Sequence, residues 1–372
     1  MKYILEVNVD DKGYGGVFSF VRNVVRYIDT SRFTISICAF EPFEKEEHKR
    51  FISDYGGQVF DCSAHGFFIT KQIKTCYKFY HLLKAHRFDV LHIHSDVSYK
   101  LLLYGVVARL AGKSDIVVHS HSTGVEGRYI HLKHCLQFIA KRILSLTNFY
   151  KVACSRLAAE WMYTTKQAKQ ALIIKNGINL EAFRYDRIKS QHIRQELSIA
   201  KQPIIGTVAR FSYQKYPEKL LEVFRVLHKQ NPDVILLWIG MGPLRDKIIK
   251  KANKYNLNQN ILFYGNSDRV QDLYQAMDTF VLTSRFEGLC IAAIEAQAAG
   301  IPCLCSAEMS PETKLTDDYC SLSINEKDET WAEKIKQLMS YPRRDTYLDL
   351  KRRGYDLEDS VKRVEEIYDG KR

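Results

Sequence analysis

Long apolar runs are absent from this 372-residue chain. No stretch reaches the eighteen or so apolar residues that a spanning helix needs, so any contact with a membrane is expected to be peripheral. Low-complexity and Pro/Ser-rich tracts are absent too, which argues against a disordered chain. The 9 cysteines are odd in number and scattered, with no C-x-x-C pair and no Cys/His cluster at zinc-finger spacing. They read as reduced, mostly buried thiols, and the expected compartment is the cytosol. The N-terminus, MKYILEVNVDD, runs directly into a strand pattern and then acids, unlike a secretory signal. G-x-S-x-G, Walker A and G-x-G-x-x-G are all missing, which removes the hydrolase elbow, the P-loop and the dinucleotide fingerprint. There is no D-x-D pair and no third ligand at metal spacing beside the histidines, so neither a dedicated metal site nor a cofactor is expected.

What is present describes an ordinary globular protein long enough for two domains of roughly 180 residues each. Lys and Arg outnumber Asp and Glu by 55 to 43, a net charge of +12, which favours anionic partners: nucleotide sugars, phospholipids or nucleic acids. The basic residues are dispersed and no recognition motif accompanies them, so a nucleic-acid or anionic-surface binding protein is only an alternative reading. One segment, Lys71 to Arg87, interleaves five cations with Tyr77, Phe79 and Tyr80. It reads either as a solvated helix or as a surface for anionic lipid.

Strand and helix signals alternate from Tyr3 to Lys175, then again from Pro203 to Cys305, around a polar stretch, Glu181 to Gln202, that reads as a linker. Alternation of this kind means parallel sheets with helices on both faces. The expected fold class is therefore α/β with two doubly wound domains, residues 1–185 and 186–355, and a last amphipathic helix from Ser360 to Tyr368. Open α/β sheets bind ligands at the carboxyl ends of their strands, so the expected site is a cleft between the two sheets.

The segment Thr279 to Pro302, TFVLTSRFEGLCIAAIEAQAAGIP, organises the second half. Its β-branched start reads as a buried strand, and Leu289 to Ala299 as a helix stopped by Gly300 and Pro302. Glu287 lies in the turn and Glu295 in the helix, eight positions on. A helix N-terminus suits a phosphate, so two acids beside one suggest a sugar nucleotide. Glu295 is flanked by Ala and Ile, where an unpaired charge is costly, and a hydroxyl partner is expected for it. Arg210 and Lys215 follow a strand and precede a helix; they are either solvated cations or the groups that neutralise a departing diphosphate where no metal does so. The loop Asp10 to Gly16 is either a tight turn or a place where Gly15 and Gly16 let backbone approach a ligand. His119 and His121 follow the strand Ile116 to Val118. Alternation along that strand is expected to leave at most one of them facing the ligand, with His92 and His94 carrying less weight.

The order Asn176-Gly177-Ile178, Arg210 with Lys215, Gly240-x-Gly242-Pro243-Leu244, Gly265, and Glu287-x7-Glu295 followed by AQAAGIP resembles the retaining glycosyltransferases of family 4, which have the GT-B fold. Among these it is similar to bacterial transferases of exopolysaccharide, capsule and O-antigen assembly. The resemblance is specific in the C-terminal half and diffuse in the N-terminal half. It departs at Ala209, Tyr216, Thr283 and Asn179, where the family usually has Gly, Gly, Pro and Asp.

The resemblance implies transfer of a sugar from a nucleoside diphosphate, UDP in particular, to a saccharide or polyprenyl-diphosphate-linked acceptor, with retention and without a divalent metal. It implies that Glu287 contacts the donor sugar and Glu295 the ribose. The backbone of Gly288, Leu289 and Cys290 meets the diphosphate, Arg210 and Lys215 neutralise it, and the loop from Asn266 to Val270 lies at the base. His121, with His119 as fallback, corresponds to the N-domain histidine near the reactive carbon. The acceptor falls to residues 1–185, onto which residues 356–372 cross back, and the donor to 186–355. The expected location is the cytoplasm, at the inner membrane face. A sugar-nucleotide isomerase of the 2-epimerase type is a further alternative.

Overall fold

The computed structural model describes residues 1–11, 16–124, 130–199 and 201–371. The chain divides into two compact units. The first joins Met1–Gly177 to the C-terminal segment from Leu357, and the second is Ile178–Asp356.

The first unit contains seven parallel strands: β1 (Lys2–Val7), β2 (Phe33–Ala39), β3 (Val59–Asp61), β4 (Val90–Ser95), β5 (Ile116–Ser120), β6 (Tyr150–Ala153) and β7 (Leu172–Ile173). Their order is β3-β2-β1-β4-β5-β6-β7, so the sheet reverses its direction of winding between β1 and β4. Strands covered by helices on both faces must be apolar on both, as Ile4, Leu5, Val90 and Leu91 are. Glu6 is the exception on β1, and it pairs in register with His92 of β4, while His94 pairs with His119 of β5. Phe18, Val21 and Val24 of the helix Gly16–Tyr27 pack with Val361, Val364 and Ile367 of the last helix, Leu357–Tyr368, in one core.

The second unit contains β8 (Ile204–Val208), β9 (Ile235–Ile239), β10 (Ile261–Gly265), β11 (Thr279–Leu282), β12 (Cys303–Ser306) and β13 (Tyr319–Leu322), all parallel, in the order β10-β9-β8-β11-β12-β13. Its reversal lies between β8 and β11. The carboxyl ends of those two strands, where ligands of such sheets bind, carry Arg210 and Glu287.

The linker read in residues 181–202 is instead two helices of the second unit, Leu180–Phe183 and Arg187–Glu196. Asn179 caps the first by accepting from Ala182 N at 3.1 Å, and Asp186 caps the second by accepting from Ile188 N and Lys189 N. Both pack on the helix Val270–Ala276, whose Gln275 amide donates to the carbonyls of Phe183 and Arg184, 3.2 Å each. These contacts move the boundary from 185/186 to Gly177/Ile178. The helix Glu46–Asp54 and the short strands β3 and β13 have no counterpart in the sequence reading.

Candidate active site

After β11 the chain turns through Thr283 to Cys290 and enters the helix Ile291–Ala298. The expected helix began two residues earlier, but Cys290 has extended dihedrals and stands at the N-cap position. The first intrahelical bond runs from Ile294 N to Cys290 O at 3.2 Å, so the N–H groups from Cys290 to Ala293 have no helical carbonyl to meet. Gly288, Leu289 and Cys290 are buried in the turn. A helix that starts at a strand-end switch point is a place for an anion.

Beside it, the Lys215 ammonium is hydrogen-bonded to Glu287 Oε1, and the Ser284 hydroxyl donates to the same oxygen from 3.1 Å. Glu287 is 7% exposed. Burial on its own would lower the Lys215 pKa, but the adjacent Glu287 carboxylate outweighs it and holds the ammonium well above its ordinary value. The two residues that the resemblance assigned to different parts of a donor thus form one ion pair. An ammonium has three donors, so Lys215 can hold Glu287 and still reach a phosphate oxygen.

Two departures from the family pattern meet here. Tyr216 is left-handed, φ 49°, at the start of the helix Pro217–Gln230, a conformation a glycine adopts without strain. The Thr283 hydroxyl donates to the Tyr216 carbonyl at 3.1 Å, and the Arg285 guanidinium stacks 3.4 Å from the Tyr216 ring centroid. These contacts hold the loop that carries Lys215. Arg210, in the preceding loop, is exposed. That loop rests on Gly240 and Gly242: a Cβ at Gly240 would lie 2.3 Å from Ala209 O, and one at Gly242 2.6 Å from Phe211 O. Both glycines allow this close backbone approach to the loop that carries Arg210.

Glu295 has a hydroxyl partner. The Tyr274 hydroxyl lies 3.0 Å from Glu295 Oε2 and 2.9 Å from the Ala292 carbonyl. Asn266 is exposed just after β10, and Val270 opens the helix Val270–Ala276 that carries Tyr274. Tyr274 escaped the sequence reading because it is 21 residues from its partner, but a tyrosine one turn into the helix that follows the loop after β10 is a visible signal.

In the first unit, Gly15 lies outside the described residues, and Gly16 is exposed at the start of its helix. The histidine expectation needs correction. Residues two apart in a strand share a face, and His119 and His121 do so, with ring centroids 4.1 Å apart. His92 and His94 join them: His92 Nε2 is 3.1 Å from His119 Nδ1, and His94 Nδ1 is 2.8 Å from His121 Nε2. Among the described residues, His92, His94 and His119 bring nitrogens within 4.8 Å of one another, the third ligand-type residue that spacing alone did not show.

Two Rossmann-like units, with cations and carboxylates collected at the strand ends of the second, define a protein of GT-B architecture. The crystal structure of Anabaena Alr3699/HepE in complex with UDP-glucose superposes with a TM-score of 0.76 at 15% identity, covering 100% of both chains. A family model described as "Glycosyltransferase Family 4" matches residues 14–182, and one described as "Glycosyl transferases group 1" matches residues 189–356. The chain is 28% identical over 368 residues to the putative glycosyltransferase EpsF of Bacillus subtilis (strain 168), covering 95% of this chain and 93% of that protein. It is also 28% identical over 250 residues to the UDP-Gal:alpha-D-GlcNAc-diphosphoundecaprenol alpha-1,3-galactosyltransferase of Escherichia coli, covering 64% and 62%. The chain belongs to the glycosyltransferases of family 4.

Proposed function

We propose that the protein transfers a sugar from a UDP-sugar to the hydroxyl of a saccharide or polyprenyl-diphosphate-linked saccharide, with retention and without a divalent metal, in surface polysaccharide assembly. The observation that carries this reading is the Lys215–Glu287 pair set against the N-terminus of the helix Ile291–Ala298. The diphosphate meets that N-terminus, Lys215 and Arg210, which neutralise the charge that develops as the bond to the sugar breaks. Glu287 accepts from the sugar hydroxyls, and Glu295, oriented by Tyr274, accepts from the ribose. The Lys215 ammonium beside Glu287 supplies the positive charge that a divalent ion would otherwise bring to the diphosphate. The acceptor oxygen bonds to the anomeric carbon on the face the diphosphate leaves, and its proton passes to the departing phosphate oxygen. The likeness to a UDP-glucose complex and to a transferase whose name specifies UDP-Gal and a diphosphoundecaprenol acceptor supports the donor and acceptor classes.

We further infer contact with an anionic membrane through the first unit. No helix among the described residues is long and apolar enough to cross a membrane. The helices Phe68–Ala85 and Ile130–Ser145 both pack on Ser98–Leu110. The first exposes Ile69, Ile73 and Tyr77, and the second exposes Leu132, Phe138, Ile139 and Ile143. Lys74, Lys78 and Arg142 are exposed on the same helices. Exposed apolar side chains with exposed cations on the same helices suit the boundary between acyl chains and anionic headgroups.

The test is UDP release from UDP-sugars in EDTA, with and without a polyprenyl-diphosphate-linked saccharide. Acceptor-dependent release at the full rate is expected. A strict Mg²⁺ requirement contradicts the metal-free reading, and consumption of donor without acceptor favours the isomerase.

A further inference from the structure

The donor chemistry leaves one cation of the second unit unused. Arg285 lies in the turn after β11, between Ser284 and the Glu287 carboxylate that Ser284 holds. Its backbone N–H donates to the Gln214 carbonyl at 2.7 Å, and the Gln214 amide donates to the Phe286 carbonyl at 3.0 Å, so the turn is tied to the loop that carries Lys215. The guanidinium carbon lies 3.4 Å from the Tyr216 ring centroid and 4.5 Å from that of Tyr213. Arg285 is half-buried, and its Nε is buried without a hydrogen-bond partner. Among the described residues its side chain makes no hydrogen bond and no ion pair, whereas the neighbouring Lys215 has Glu287.

A guanidinium taken partly out of water is unfavourable unless an anion meets it. Stacking on rings offsets part of that penalty and fixes the plane of the group, but it engages the face of the plane and leaves the N–H groups on its edge unmatched. The backbone holds this stack against strain. Tyr216 is left-handed, φ 49°, where a glycine is unstrained. What the tyrosine adds over a glycine is its ring, and the ring is what lies against Arg285. Tyr213 is exposed, so the stack reaches the surface of the unit. The result is a pre-oriented fork of donors, and two parallel N–H groups fit two oxygens of one phosphate.

We propose that Arg285, fixed by Tyr213 and Tyr216, is a second anion site of this unit, separate from the donor diphosphate, and that it takes the diphosphate of a lipid-linked acceptor. The proposal rests on the reading that the acceptor carries a diphosphate and that Glu287 holds the donor sugar. The donor diphosphate is assigned to the start of the helix Ile291–Ala298, which follows Glu287 in the turn, whereas Arg285 precedes it. Two residues of chain span at most about 7 Å, on the order of the length of one sugar ring. An acceptor hydroxyl beside the sugar at Glu287 then leaves its own diphosphate one sugar away, within reach of Arg285. This selects an acceptor with one or two sugars on its diphosphate over a long saccharide.

The test uses the full chain saturated with UDP, and inorganic pyrophosphate as the probe. Calorimetry is expected to show pyrophosphate binding to the UDP complex, weakened at least about tenfold in Arg285→Met, which keeps an apolar stem against the two rings, while UDP affinity is unchanged. Arg285→Lys keeps the charge and loses the fork, and it serves if Arg285→Met does not fold; a loss in the same direction is expected. Absence of pyrophosphate binding to the wild-type UDP complex overturns the proposal. So does a parallel loss of UDP affinity in Arg285→Met, which assigns the cation to the donor or to the shape of the Lys215 loop. Tyr216→Gly removes the ring and the strain together and is expected to weaken pyrophosphate binding; full affinity in that variant contradicts the stack. With a prenyl-diphosphate-linked monosaccharide, Arg285→Met is expected to raise the acceptor KM at least about tenfold with kcat held, and an unchanged KM overturns the acceptor assignment. If the wild type transfers nothing to that acceptor, the proposed function fails, and pyrophosphate binding still decides the anion site.

Discussion

The Lys215 ammonium and the Glu287 carboxylate, 72 residues apart in the chain, are hydrogen-bonded to each other at the ends of β8 and β11. Each is the other's main charge partner, so removing one changes the other. Glu287→Gln leaves a half-buried ammonium with a neutral neighbour. Loss of about 1–3 kcal/mol in urea unfolding is expected, the usual effect of leaving a charged group without its bond, together with a fall in kcat. Unchanged stability would mean the pair is not formed in solution.

Glu295 and Tyr274 allow binding to be separated from chemistry. Glu295→Ala is expected to raise KM for the UDP-sugar while kcat changes little, because a ribose contact is equally strong in the ground and transition states. Tyr274→Phe keeps the carboxylate and loses one hydrogen bond, about 0.5–1.5 kcal/mol of stability. Calorimetry with UDP checks both; equal UDP affinity in wild type and Glu295→Ala removes Glu295 from the ribose.

The first unit carries its own pH dependence. His94, His119 and His121 are all held below their ordinary pKa, His94 at about 4, chiefly by burial. Folded, they stay neutral where the unfolded chain takes up protons. Their contribution is fully present above about pH 6.5 and is lost as pH falls toward 4, at up to about 1.4 kcal/mol per pH unit for each ring. Glu6, also depressed, adds to the loss below about pH 4.5. Urea midpoints that fall steeply from pH 6.5 to 5 and are level from 7 to 8 are expected, and a flat profile from 8 to 5 contradicts the buried cluster.

Membrane docking is read by flotation with liposomes containing anionic lipid. Binding at low salt is expected to weaken as ionic strength rises, and Ile139→Glu with Ile143→Glu is expected to abolish it without unfolding the chain, since both side chains are exposed. Flotation unaffected by the double variant places any membrane contact elsewhere.

Much of the second unit was legible because its signals are local. The strand, turn and helix from Thr279 to Ala298, the loop around Lys215 and the need of Glu295 for a hydroxyl partner all follow from neighbouring residues and from the cost of an unpaired charge, whereas the partner itself, Tyr274, does not. What was not legible depends on pairing at long range. Glu6 meets His94 across 88 residues and Tyr368 across 362, and no periodicity reports that. The shared face of His119 and His121 was available from strand geometry and was misread. The helices at 180–196 look like a linker because they expose most of their surface, yet Asn179 and Asp186 stand at their starts as capping residues do. Tyr216 and Thr283 read as two separate departures from the family pattern; only the fold shows that the hydroxyl of one holds the carbonyl of the other.

The most direct measurement of the central claim is the turnover of a UDP-sugar by Lys215→Ala, alongside circular dichroism to establish that it is folded. A charge-stabilising donor aimed at a leaving phosphate contributes about 10²–10³ in rate. The metal-free reading predicts a loss on that scale, and wild-type turnover in the folded variant would contradict it.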